Sequence, residues 1–307
     1  MTLSINHTLK LSQKQYFPIA APKTGICLHH TVGGTAESTF SWWNKSTELI
    51  GSAYLIDRDG TIYETIDPRY WAWQFGLKWP LEEKTAFEKR FIGIEIASEG
   101  GLIEKDGQLY CFDRISDKTL KKRSEAFDYG QDYRGYRYFD RYEPAQLDAV
   151  IELLNQLCRN FRIEKKIPQD YLGFYDRKLF NFQGIIGHAN VRLDKSDPSP
   201  DSEFWERIIK ECGLSKTEVL DELEGLFEHN VAQYSQLNRA AAAVVKGLLY
   251  ELQRDGRNTW IKLFDPDPFG HVIHYKLIQG DPELVKRIAA ALGFKAVTDS
   301  TLEVYHA

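Results

Sequence analysis

Short apolar segments that alternate with amphipathic ones are the feature that most constrains how this chain can fold. "TGICLHH", "RFIGIEIASEGG" and "FQGIIGHANV" each hold a brief apolar run that ends in a histidine or a glycine-rich turn, which is typical of buried strands. In contrast, "EPAQLDAVIELLNQLCRNF" has a proline in its first turn and its apolar residues have helical spacing. Its apolar residues share one face: Leu147, Val150, Ile151, Leu154 and Leu157. The alternation predicts an α/β fold around a central sheet.

Two further segments support this fold. "SAYLIDRDGTIYETI" is a hairpin signal, because two apolar-rich runs flank Asp57–Gly60 and the Asp59-Gly60 pair suits a tight turn. "SDPSPDSEFWERIIKECG" predicts a loop followed by a short helix that ends at Gly213. We expect a domain boundary at this point, so that residues 1–213 form one domain.

Two regions stand apart from the pattern. Residues 101–142 mix tyrosines with charges of both signs and show no sustained period, apart from a hairpin signal at Asp106-Gly107. We interpret this block as a surface insert whose length indicates a function. Residues 214–307 read as helices followed by a small strand, strand, helix unit, which predicts a mainly helical α+β C-terminal extension.

Composition excludes several classes of protein. The chain has 307 residues with 39 basic and 44 acidic side chains, a formal charge of −5, so no nucleic-acid partner is expected. No apolar run is long enough for membrane insertion, and no signal peptide is recognisable. We therefore expect synthesis in the cytoplasm, with action there or after lysis or export. The widely spaced cysteines are expected to be free thiols: Cys27, Cys111, Cys158 and Cys212.

Three potential metal ligands lie at strand ends or just beyond one. His29 ends the first apolar strand, His188 ends "GIIGH", and Asp197 follows in the loop "HANVRLDKSDPSP". Zinc hydrolases commonly use three protein ligands of these types and keep a position open for water. A zinc ion with one carboxylate would leave a charge of about +1, which acidifies a bound water.

The chain resembles the zinc-dependent N-acetylmuramoyl-L-alanine amidases, the type 2 amidase family that includes phage amidase lysozymes and peptidoglycan recognition proteins. The matching pieces are "ICLHHT", "SAYLIDRDGTIYETI", "WAWQFG", "FIGIEIASEGG" and "GHANVRLDKSDPSP", in the family's order. The resemblance implies a mixed central sheet flanked by helices and a Zn²⁺ site in a surface groove. It also implies a peptidoglycan or muropeptide substrate, cut between muramic acid and L-alanine.

The resemblance also implies roles for individual residues. His29, His188 and Asp197 match the family's zinc ligands, Glu95 matches the general base of some branches, and Lys195 matches the lysine that faces the scissile carbonyl. Strand alternation agrees for Glu95, which points away from the isoleucines on either side of it.

His30 is expected to pack beside the site without binding the metal. The spacing of His271 and His274 in "GHVIHY" places them on opposite faces of a strand, so we interpret them as surface or packing residues.

The chain departs from the family at the groove. Ser52 and Ala53 stand where many members have tyrosine and histidine, and Gln74 stands where "WHAG" has its histidine. Trp42, Trp43 and Trp79 are expected mostly in the core, whereas Trp71 and Trp73 could equally line the sugar groove. The insert at 101–142 is expected to form one wall of the peptide-binding groove.

Several functions remain open at this point. The leading hypothesis is a peptidoglycan hydrolase, with a phage endolysin, a secreted or injected lytic enzyme and a cytosolic muropeptide-recycling enzyme as possible roles. A non-catalytic muropeptide-binding module is the alternative, although such modules generally lose the third zinc ligand, which is present here as Asp197. The C-terminal region could bind the cell wall or a partner, or mediate oligomerisation.

Overall fold

The computed structural model describes residues 3–112, 119–219, 296–298 and 301–302. The chain divides into two compact units, Met1–Val219 and Leu220–Ala307. In the second unit, the described residues form one antiparallel strand pair. The predicted helices of the C-terminal extension, and the pair His271 and His274, lie outside the described residues. The boundary at 213 stays a prediction.

The described helices are α1 (Ala36–Lys45), α2 (Leu81–Arg90), α3 (Pro144–Phe161) and α4 (Ser202–Cys212). The strands of the central region are β1 (Gly25–His30), β2 (Tyr54–Ile56), β3 (Ile62–Glu64) and β4 (Phe91–Ile96). Those of the insert are β5 (Gly101–Lys105), β6 (Gln108–Cys111), β7 (Leu120–Lys121), β8 (Ala126–Tyr133) and β9 (Tyr136–Asp140). The remaining strands are β10 (Lys166–Pro168), β11 (Gly184–Gly187), β12 (Ser215–Thr217), β13 (Ala296–Thr298) and β14 (Thr301–Leu302).

The central sheet has five strands in the order β11-β1-β4-β2-β3. All neighbouring pairs are parallel except the β2–β3 hairpin, so the sheet is mixed, as predicted. Every residue of β1 and β11 is buried, which explains why these segments read as continuous apolar runs rather than alternating ones. The expected α/β fold with a mixed central sheet flanked by helices is thus confirmed.

Helix α3 covers one face of this sheet with the stripe that the sequence predicts. Leu147, Val150 and Leu154 are buried in the largest apolar cluster, together with Ile26 and Ile94 of the sheet. Pro144 occupies the first turn, and the side-chain oxygen of Gln146 accepts the backbone N–H of Glu143 at 2.9 Å. Helix α4 packs beside α3 and ends at Gly213 in a left-handed conformation, as predicted.

The insert has more regular structure than its sequence indicates. The described part of residues 101–142 forms a second five-stranded sheet in the order β7-β6-β5-β9-β8, antiparallel throughout. The hairpin at Asp106-Gly107 is confirmed as the β5–β6 turn. The pattern is hard to read because the tyrosines of β8 and β9 occupy both buried and half-buried positions.

The insert joins the rest of the unit through a buried carboxylate. Asp140, at the end of β9, is completely buried and accepts the backbone N–H of Glu99 at 2.7 Å. Its other oxygen lies 2.6 Å from Lys121 Nζ, and Arg58 of the β2–β3 turn pairs with the same carboxylate. Two cations from different sheets therefore share one buried anion.

Two other observations complete the comparison with the sequence. Trp42 is 56% exposed, which contradicts its expected place in the core, because Trp43 takes the buried face of α1. The four cysteines are buried free thiols, as expected. Among the described residues, no helix has the length and apolarity needed to cross a bilayer.

Candidate metal centre

Neighbouring parallel strands bring the two histidines together. His29 lies near the carboxyl end of β1, and His188 follows β11, which pairs with β1 up to the Leu28–Gly187 register. Because the carboxyl ends of parallel strands meet at one edge of a sheet, residues 159 positions apart become neighbours.

Asp197 returns to the same edge through a short loop. The N–H of Ala189, directly after His188, donates to the carbonyl of Asp197 at 2.9 Å, and this contact closes the loop between the two ligands. All three side chains are buried, with Asp197 5% exposed. The three residues form the one group of potential metal ligands found among the described residues.

The donor atoms converge with the spacing of a metal site. His29 Nδ1 lies 3.1 Å from His188 Nδ1. Asp197 Oδ2 lies 3.2 Å from His29 Nδ1 and 3.0 Å from His188 Nδ1. Ligands at about 2.0–2.1 Å from a tetrahedral zinc ion are about 3.3 Å apart, so the observed triangle fits zinc closely.

The electrostatics of Asp197 fit the same conclusion. Burial alone would raise its pKa, but the imidazoles of His188 and His29 hold that pKa well below its ordinary value. The carboxylate is therefore ionised, as a metal ligand must be.

Glu95 faces the same region from the next strand. It is in register with His29 across the β1–β4 pair. Burial raises the pKa of its carboxyl to about 7, against the opposing charge of His29, and the nearby charges include Asp197 and Lys195. Its Oε2 atom is buried and has no hydrogen-bond partner among the described residues. A carboxyl with this pKa is suited to accepting a proton near neutrality.

Lys195 lies in the loop between His188 and Asp197 and is half-buried. It stands among the charges that act on Glu95, so the structure brings it to the same site. The five predicted site residues thus occur together, while their roles in binding and catalysis stay predictions.

The far side of each imidazole also has a partner. His188 Nε2 lies 2.9 Å from the carbonyl oxygen of Phe75, and His29 Nε2 lies 3.3 Å from Gln74 Oε1. Of the positions where the chain departs from the family pattern, Gln74 therefore contacts His29, a candidate metal ligand, directly. Ser52 and Ala53 are buried.

The sequence alone did not reveal Glu88 of α2. Its carboxylate accepts the backbone N–H groups of Gln74 at 3.1 Å and Phe75 at 3.2 Å. In "LEEKTAFEKRF" it looks like one more charge on an exposed helix. The available signal was its place between Phe87 and Phe91, both of which are buried.

Of the two tryptophans considered for the groove, Trp71 belongs to the core. Its ring is buried and stacks on Phe17 with a centroid separation of 3.9 Å. Trp73 is half-buried and packs edge-on against Trp71, with the Lys84 ammonium 5.1 Å from its ring centroid. A groove-lining role therefore stays open for Trp73 alone.

Comparisons with known proteins agree on one family. The family model for N-acetylmuramoyl-L-alanine amidases, Amidase_2, matches residues 20–200, which include all three candidate ligands. No curated protein matches the chain.

Solved structures of amidases are similar to this chain at low identity. The N-acetylmuramoyl-L-alanine amidase LysC from Clostridium intestinale is 13% identical, with 70% of this chain and 100% of that chain covered and a TM-score of 0.38. AmiD from E. coli, solved with the substrate anhydro-N-acetylmuramic acid-L-Ala-D-γ-Glu-L-Lys, is 16% identical, with 93% and 86% covered and a TM-score of 0.41. AmiA from Staphylococcus aureus is 14% identical, with 68% and 77% covered and a TM-score of 0.37.

Proposed function

This chain belongs to the N-acetylmuramoyl-L-alanine amidase family, and from that premise we propose that it is a zinc-dependent peptidoglycan hydrolase. It cleaves the amide bond between N-acetylmuramic acid and L-alanine. The observation that carries the proposal is the convergence of His29 Nδ1, His188 Nδ1 and Asp197 Oδ2 within 3.2 Å of one another. A module that only binds muropeptides has no need for a complete ligand set.

The three converging side chains would hold the zinc ion. When bound, the ion would acidify a water molecule and polarise the scissile carbonyl. The carboxylate of Asp197 supplies the negative charge, and the two imidazoles supply neutral donors.

Glu95 is proposed as the general base and acid. Its unpartnered Oε2 is free to accept a proton from the attacking water. Because burial brings its pKa to about 7, the protonated carboxyl can then return that proton to the departing amine of L-alanine.

Lys195 is proposed to stabilise the oxyanion. Its ammonium group is positioned among the charges of the site by a loop whose two ends carry His188 and Asp197. A preorganised cation at the developing oxyanion lowers the energy of the tetrahedral intermediate relative to the planar amide.

The insert is proposed to form one wall of the substrate groove. At the tip of the β8–β9 hairpin, Arg134 Nη1 donates to the carbonyl of Leu193 at 2.9 Å and Nη2 donates to that of Ala189 at 3.4 Å. Both carbonyls belong to the loop that carries Lys195. This contact between the hairpin and the loop supports the proposal.

Release of peptides from purified sacculi tests the proposed function. Zinc-loaded protein should release stem peptides, chelator should stop the release, and mass spectrometry should find free L-alanine amino termini on the peptides. No release from sacculi or from soluble muropeptides, combined with measurable muropeptide binding, would favour the binding module instead.

The preferred substrate distinguishes the biological roles. An endolysin or other lytic enzyme should act on intact sacculi, whereas a recycling enzyme should act on soluble muropeptides. We propose that residues 214–307 bind the cell wall or a partner. Sacculus pull-down and light scattering of the full-length protein and of a fragment of residues 1–219 test this proposal. The fragment ends at residue 219 so that it retains β12, which pairs with β10.

A further inference from the structure

The metal site requires a particular tautomer of both histidines. Their Nδ1 atoms face each other and Asp197, so each Nδ1 must present its lone pair to the metal. A neutral imidazole then carries its proton on Nε2. Whatever accepts a hydrogen bond from each Nε2–H therefore favours the binding-competent form.

Both acceptors belong to two consecutive residues. Phe75 supplies its backbone oxygen to His188, and Gln74 supplies its side-chain oxygen to His29. A backbone carbonyl can only accept, so it permits only a protonated Nε2 on His188.

The orientation of the Gln74 amide follows from its second contact. Its Nε2 group donates to the carbonyl of Phe91 at 3.3 Å. A flipped amide would place Oε1 against that carbonyl, which has no proton to donate. The amide oxygen is therefore directed at His29 and acts as an acceptor there.

Glu88 fixes the segment that carries these acceptors. Its two carboxylate oxygens each accept one backbone N–H, from Gln74 and Phe75 respectively, and the residue is completely buried. Arg192 approaches from the opposite side and donates to the carbonyl oxygens of Phe75 at 3.3 Å and Gly76 at 3.2 Å. The segment is thus anchored on both sides.

We propose that Glu88 and Gln74 are positioning residues that hold His29 and His188 as Nε2–H tautomers and so direct both Nδ1 lone pairs to the metal. Glu88 acts on both histidines through the backbone of residues 74–75, whereas Gln74 acts on His29 alone. This inference rests on the metal site of the proposed function. It adds α2 to the elements that build that site.

Two substitutions separate these effects. Gln74→Ala removes the acceptor for His29 and leaves the Phe75 carbonyl in place. Glu88→Gln keeps the shape of the side chain but replaces one acceptor with an amide donor, so that one backbone N–H loses its partner. Glu82→Gln, at an exposed position of the same helix, is the matched control.

The measurements are zinc affinity by chelator competition and the imidazole tautomers by long-range ¹H–¹⁵N NMR of the zinc-free protein. We expect both variants to bind zinc about 10- to 100-fold more weakly than the wild type. Gln74→Ala should change the tautomer of His29 only, and Glu88→Gln should change both. Glu82→Gln should match the wild type in both measurements.

The outcomes distinguish this inference from the proposed function. A wild-type protein that does not bind zinc would overturn the metal site itself. Zinc affinity within threefold of wild type for Gln74→Ala, with unchanged tautomers, would overturn the positioning role while leaving the metal site intact. If Glu88→Gln fails to fold, Gln74→Ala still decides the matter, because Gln74 is half-buried and its replacement leaves the main chain unchanged.

Discussion

The two five-stranded sheets of the first unit follow opposite plans. The central sheet is mostly parallel and buried on both faces, whereas the insert sheet is antiparallel and leaves half of the residues of β8 exposed. The central sheet positions His29, His188 and Glu95, while the insert supplies none of the described candidate ligands.

The difference shows where each sheet obtains its stability. Apolar contacts dominate the central sheet, but the insert buries only a small cluster and covers it with surface cations. Arg123 and Arg137 lie 5.0 Å and 5.2 Å from the ring centroid of Tyr138. Such exposed contacts are weak because water competes for the cation, so we expect the insert to depend more on its link to the central sheet through Asp140.

The largest effect should come from the edge of the central sheet. His29→Ala removes a ligand, so zinc binding should be lost and hydrolysis should fall about a thousandfold or more. His30→Ala should keep zinc and cost about 2 kcal/mol of stability, because His30 is buried against Gly100. Metal analysis, turnover and urea unfolding measure these effects. Equal loss of zinc in both variants would contradict the assignment of metal binding to His29 and of packing to His30.

The next effect tests the link between the sheets. Asp140→Ala leaves Lys121 and Arg58 without their buried partner and should lower the free energy of unfolding by about 3–5 kcal/mol. Asp128→Ala breaks a surface pair with Arg137 within the insert and should leave the free energy of unfolding nearly unchanged, because water screens exposed charges. Urea unfolding of both variants measures the two costs. Similar costs would show that the insert is stable without the link.

The pH dependence of stability should reveal a carboxyl group that is buried beside the central sheet. Burial raises the pKa of Glu88 from 4.5 to about 8 in the folded chain. Between about pH 5 and 8 the unfolded chain loses this proton first, so this group's contribution to stability is present at low pH and lost as pH rises.

Glu88→Gln does not titrate, so its stability should gain on that of the wild type as the pH rises across that range, on top of a constant cost for the backbone N–H that the amide leaves unpaired. The gain should be about 1 kcal/mol or more, because one pKa unit corresponds to about 1.4 kcal/mol. Urea unfolding in chelator at several pH values measures it. The control Glu82→Gln should give a curve parallel to wild type, and a constant offset for Glu88→Gln would refute the prediction.

The smallest effect concerns the insert tip. Arg134→Ala removes donors to the loop that carries Lys195 and should lower kcat/KM about threefold to tenfold, which corresponds to roughly 1 kcal/mol. Stability should change by less than about 1 kcal/mol. Arg137→Ala, which loses the pair with Asp128 and the contact with the Tyr138 ring, is the control and should leave kcat/KM unchanged. Equal kcat/KM values for the two variants would contradict the proposal that the insert forms a wall of the substrate groove.

Much of the central sheet could be predicted from the sequence, because local patterns carry the information. A fully buried strand needs a continuous apolar run, as in "GIIG", and a helix on a sheet needs the stripe that α3 shows. The insert could not be predicted in this way. Its Tyr and Arg side chains pack against one another with their rings and aliphatic stems, often at half-exposed positions, so that no apolar pattern marks its strands.

The sequence by itself determined the strands of the central sheet, the amphipathic helix α3 and the residue types for a metal site, because these depend on period and chemistry within short segments. Only the tertiary structure decided which atoms converge at the candidate metal site and which groups hold them. His29 and His188 are 159 positions apart, and Glu88 reaches the site through the backbone of residues 74–75. Contacts of this kind depend on packing between distant segments, which no local pattern records.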